Sequence, residues 1–154
     1  MSTTLQSFLA AATKKAADEL EAALLRLPED KRGWAPADSS RSALDQAAEC
    51  AMLSGSTAEL IKTRKWNFEG DFSEYLRKKS ELAQSWSGVK TVLDENIANV
   101  VEAIAAVPTE DLEAEVKTPF GTMTLAQIIS YPYWNMTYHL GQINYLASIL
   151  GVLD

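Results

Sequence analysis

One histidine, His139, and one cysteine, Cys50, are all that the 154 residues offer of the two most versatile catalytic and metal-binding side chains. A single thiol forms no internal disulfide, so a disulfide-stapled secreted scaffold is excluded and a reducing compartment, the cytoplasm, is expected. No glycine-rich phosphate loop is present, and Ser54, Ser56 and Ser130 lack any motif that would make one of them a nucleophile. The apolar run at residues 8–12 is too short for a signal peptide, and the basic Lys14 and Lys15 follow it instead of preceding it. Positive charge is also in short supply. Fourteen Lys and Arg against 21 Asp and Glu give a net charge of -7, which opposes nucleic acid and anionic membrane surfaces as partners.

Charge of either sign disappears between Lys117 and Asp154, whereas residues 94–116 carry seven acids and no base. The uncharged stretch is not a membrane span: Gln127, Ser130, Pro132, Asn135, His139, Gln142 and Asn144 interrupt it too often for about 20 apolar residues in lipid. It reads as the most buried helix of a bundle. A hydrophobic fraction of 47% with 23% charged residues fills a core, and a chain of this length is expected to form one domain over residues 1–154.

Periodicity predicts an all-α protein with four principal helices. Leu5, Phe8, Leu9, Ala12, Ala16, Leu20, Ala23 and Leu27 recur at three- and four-residue spacing over residues 3–27. A connector with Pro28, Gly33 and Pro36 leads to a second helix over 42–63, on which Ala47, Ala48, Ala51, Gly55 and Ala58 form a small-residue face and Cys50 turns into the packing. A polar, aromatic segment follows, with a short helix over 73–82. There Lys62, Arg64, Lys65, Arg77, Lys78 and Lys79 are interleaved with Glu69, Asp71 and Glu74, which favours a solvated loop over an anion-binding patch. The third principal helix places Val89, Val92, Leu93, Ile97, Val100, Val101 and Ile104 on one stripe and ends before Pro108. A hairpin or extended crossing is expected over 113–122, around Pro119-Phe120-Gly121. Thr124 and Gln127 then have capping-box spacing and fix the start of the last helix. On that helix Leu125, Ile128, Ile129, Met136, Leu140, Ile143, Ala147 and Leu150 form a core stripe that includes His139, with Asn135 at its edge. Tyr131, Trp134, Tyr138 and Tyr145 cluster on another flank, and Pro132 predicts a kink.

The run His139-Leu140-Gly141-Gln142-Ile143-Asn144-Tyr145-Leu146, preceded by Thr118-Pro119-Phe120-Gly121-Thr122-Met123-Thr124-Leu125, resembles the C-terminal signature of the DinB-like superfamily. Residues 44–51 are similar to that family's second helix, so the resemblance spans nearly the whole chain. It implies an up-down-down-up four-helix bundle, frequently a homodimer, often with a divalent metal held by three histidines between the second and last principal helices. Transferred onto this sequence, those positions are Glu49, Asn135 and His139, so one histidine of three is present. A degenerate site of this kind would hold zinc or nickel weakly or not at all, since a neutral amide oxygen suits hard ions better.

Two functions stand open. The first is a metal-dependent transferase or hydrolase-like enzyme, since parts of the superfamily resemble enzymes that pass a small-molecule thiol to an electrophile; the metal would present the thiolate, with Tyr131 or Tyr138 shaping the pocket. The second is a non-catalytic dimeric bundle that has lost the ligand set and pairs through the last helix, where Trp134, Tyr138 and Tyr145 read as interface. Without metal, Glu49 and His139 form either a closed polar pair or a proton-transfer pair in a cleft.

Overall fold

Thr4, Ser42, Asp71, Ser85 and Thr124 each place a side-chain oxygen on a backbone N–H of the turn that follows, and these five caps start five helices. In the computed structural model, which describes residues 2–67 and 71–154, α1 spans Leu5–Arg26, α2 Ala43–Thr63, α3 Phe72–Leu82, α4 Trp86–Ala105 and α5 Leu125–Ile149. Thr124 and Gln127 form the expected capping box: each N–H of the pair is answered by the other's side chain. Glu69 lies outside the described residues.

The direction of each rod follows from the contacts at its ends. Gln6 at the start of α1 donates to the Val107 carbonyl just past α4, and Glu21 late in α1 meets Lys90 early in α4, so these two run antiparallel. Arg64 at the end of α2 meets Asp111 beyond the end of α4, so α2 and α4 run parallel. Glu49 and Gln46, going back along α2, meet Asn135 and His139, going forward along α5, so that pair is antiparallel. The result is the up-down-down-up bundle, with α1 beside α4 and α5 and with α3 resting on α2.

Between α4 and α5 the chain makes a two-stranded antiparallel hairpin, β1 over Glu115–Thr118 and β2 over Gly121–Thr124, with Thr118 paired to Gly121. Gly121 takes a φ of 115°, a conformation open to glycine, and Val116 turns inward into the core. The core joins Leu20 and Leu24 of α1, Ala47 and Ala51 of α2, Val89 and Ile104 of α4, and Ile129 and Met136 of α5. α5 runs unbroken from Leu125 to Ile149 across Pro132.

Two residues depart from the expected stripe. Leu5 and Phe8 remain exposed, while Gln6 and Thr13 are buried in their place. The buried stripe runs regularly through positions 6, 9, 13, 16, 20 and 24, which leaves Leu5 and Phe8 off it, and the Gln6 amide is satisfied there by the Val107 carbonyl at 2.9 Å. Among the described residues no helix is long and apolar enough to cross a membrane.

Candidate functional site

Asp45 and Glu49 stand four residues apart on α2, so their side chains share one face, and Arg41, just before the Ser42 cap, folds its side chain onto both. That face meets the stripe of α5 carrying Asn135 and His139. His139 Nε2 lies 3.0 Å from Glu49 Oε1, and Asn135 Nδ2 donates to the same oxygen at 3.3 Å. The other carboxylate oxygen, Oε2, accepts from Arg41 Nη1 at 2.7 Å. Asp45 also takes the Arg41 Nε, and its two oxygens receive Lys79 of α3 at 3.0 and 3.2 Å.

The inner side of the imidazole is equally occupied. His139 Nδ1 faces Gln46 Oε1 at 2.8 Å and Gln142 Oε1 at 3.1 Å. Gln46 directs its own amide nitrogen to the Arg41 carbonyl at 3.3 Å, which fixes its oxygen toward the ring. Both ring nitrogens therefore point at oxygen acceptors. His139 is 2% exposed and Asn135 3%, whereas the side chains of Glu49 and Arg41 keep 21% and 35% of their surface open.

Electrostatics follow from these partners. The hydrogen bond from His139 lowers the Glu49 carboxyl first; the Arg41 charge adds to it, and together they outweigh burial, bringing the group to about 2. Burial, then the Glu49 charge, pushes Tyr75 up to about 12 and raises Tyr131, so both phenols feel the carboxylate and stay protonated. Burial, again followed by Glu49, pushes the Cys50 thiol up; it packs into the core next to this corner and takes no part in it.

A divalent metal is the group that the resemblance implies here, and the donor chemistry argues against it. Asn135 presents its NH2 end, because turning the amide over would set its oxygen against the Glu49 carboxylate. Its oxygen is buried without a hydrogen-bond partner among the described residues. Only one imidazole and one carboxylate remain as ordinary ligands, and both are already engaged with protein partners. Among the described residues no three His, Cys, Asp or Glu side chains come together as a metal-binding group. At an effective dielectric of about 20, a dication about 5 Å from a guanidinium is opposed by roughly 7 kcal/mol, or about five decades of affinity. As they stand, these residues do not fit a divalent metal.

The structure thus brings Glu49, Asn135 and His139 together, and adds four residues that spacing alone had left out: Arg41, Gln46, Lys79 and Gln142. The 41/45/49 ladder was the available signal. Four of the six basic residues near α3 are paired with acids, Arg64 with Asp111, Arg77 with Glu81, Lys78 with Glu74 and Lys79 with Asp45. Outside the corner, Tyr131, Trp134 and Tyr138 form a surface row with ring centroids 5.3 and 5.8 Å apart, and Tyr145 extends it along α5.

Comparison with known proteins gives the same architecture. The family model of the DinB superfamily matches residues 12–143. Among solved structures, a DinB-like protein (YjoA) from Bacillus subtilis is similar over 93% of this chain and 92% of its own, with a TM-score of 0.69 and 12% identity. A mutant of the mycothiol-dependent maleylpyruvate isomerase is similar over 92% of this chain, with a TM-score of 0.73 and 10% identity; the match spans 63% of that protein. Among curated proteins none matches this chain.

Proposed function

Because the chain belongs to the DinB superfamily, we propose that it is a metal-independent member in which the Glu49–His139 corner is a structural clasp and the aromatic row of α5 joins two copies. The observation that carries this reading is the state of the clasp. A proton-transfer pair needs a base of useful strength and an accessible atom. Glu49, held at about 2, is a weak base, and His139 is buried with both nitrogens engaged.

The outer surface offers what the clasp lacks. Tyr131, Trp134, Tyr138 and Tyr145 are 38%, 55%, 54% and 68% exposed, and the row from the first to the last covers about 21 Å of helix. Two chains of net charge -7 repel one another wherever acids face acids, and the stretch between Lys117 and Asp154 has none. A second copy of this chain is therefore the partner that fits, with aromatic rings at the centre of the contact. Its lone buried thiol suits a cytoplasmic setting.

Sedimentation or light scattering tests this. The wild type should have dimer mass and Trp134→Glu monomer mass; a wild type that stays monomeric at high concentration overturns the reading.

A second reading, a thiol-handling transferase or hydrolase-like enzyme, draws support from the fold likeness to the mycothiol-dependent isomerase and from the partly open Glu49 and Arg41 near Tyr75 and Tyr131. Mycothiol and glutathione separate the two. Under the clasp reading they leave the thermal midpoint unchanged; under the enzyme reading they raise it by mass action.

A further inference from the structure

We propose that Arg41 is the built-in cation of the α2–α5 corner and that it keeps divalent metals out. Charges alternate along the network from Lys79 through Asp45 and Arg41 to Glu49, whose other oxygen meets the His139 ring. Asp45 lies between Lys79 and Arg41, and Glu49 lies between Arg41 and His139. Two cations thus already match the two carboxylates, and an added dication would meet a corner with no negative charge left over.

Arg41 is also held against displacement. Its Nε and Nη1 are fixed by Asp45 and Glu49, and its Nη2 donates to the Asp45 carbonyl at 3.3 Å. Its own carbonyl accepts from Gln46, the residue that also faces His139 Nδ1. Lys79, 9% exposed, holds Asp45 from α3, so the guanidinium cannot be released by a swing of that acid. An incoming ion would have to expel a fork that four residues keep in place. This holds whether or not two copies of the chain pair.

Isothermal titration calorimetry of the tag-free full chain with Zn2+ and with Ni2+ tests the assignment. The wild type should show no saturable site. Asn135→His, which supplies a second imidazole, should bind weakly, and Arg41→Met added to it should tighten binding by about 100-fold or more. Arg41→Lys added to Asn135→His keeps the charge without the fork and should not tighten binding. Circular-dichroism melts confirm folding, and Arg41→Gln replaces Arg41→Met if the latter fails to fold. The proposal is overturned if Asn135→His alone binds as tightly as the double variant. It is overturned equally if the wild type takes a stoichiometric ion that His139→Ala loses.

Discussion

The ring of Tyr138 meets the ring of His139 edge-on, with centroids 5.3 Å apart and planes at 82°, so the exposed aromatic row and the buried clasp share one wall. An edge contact of this kind contributes about 0.5–1.5 kcal/mol beyond buried area. Tyr138→Ala should therefore lower stability by about 1 kcal/mol and uncover the imidazole. As the chain has one histidine, diethyl pyrocarbonate reports on that ring alone at 240 nm. Modification should be slow in the wild type and several-fold faster in Tyr138→Ala; equal rates would mean that Tyr138 does not shield the ring.

Acid should act on the clasp through Glu49. Its carboxyl lies at about 2 in the folded chain against an ordinary value of 4.5. Between those values the unfolded chain takes up a proton that the folded chain refuses, so the stabilisation is complete above about 4.5 and is lost as pH falls toward 2. Glu49→Gln removes that linkage. Urea unfolding should show a gap between wild type and Glu49→Gln that is widest near neutrality and shrinks across this window; a gap independent of pH would separate Glu49 from the effect.

Gly55 of α2 faces Asn96 of α4 so closely that a β-carbon would come within 2.6 Å of the Asn96 amide nitrogen, which donates to the Ala51 carbonyl at 2.9 Å. Alanine gains about 1 kcal/mol of helix propensity over glycine, but here it must expel that amide, which loses its bond to a carbonyl already paired within α2. Gly55→Ala should lower stability by about 1 kcal/mol net. Adding Asn96→Ala should restore part of it, since the propensity gain then comes without the clash. Chemical denaturation of the three variants reads this directly.

Cys50 is fully buried and its thiol is pushed up by burial and by Glu49, so little thiolate forms and none is accessible. Ellman's reagent should find no reactive thiol in the native chain and one per chain in denaturant. Rapid native reaction would place Cys50 at the surface.

Local pattern made most of the fold legible. The three- and four-residue recurrence of apolar residues, the caps at Ser42 and Thr124, and the Pro119-Phe120-Gly121 turn are short-range signals, and α2, α5 and the hairpin stand where those signals put them. Leu5 and Phe8 escaped that logic because the stripe buried along the rest of α1 passes through Gln6, whose amide finds the Val107 carbonyl across the bundle. In the corner, the inward aim of His139 and its opposition to Glu49 follow from helical wheels. Arg41 and Lys79 do not, since their role depends on how a connector and α3 fold back on α2. The ladder from Arg41 to Glu49 was nonetheless visible as spacing.

In α3 the sole buried residue is a lysine, Lys79, whose ammonium is moored to Asp45. An apolar seam tightens as salt is added, but a mooring of this kind slackens. Rising ionic strength should therefore let this short rod swing free of the rest while the four long ones stay locked, with its amides the first to trade hydrogen for deuterium.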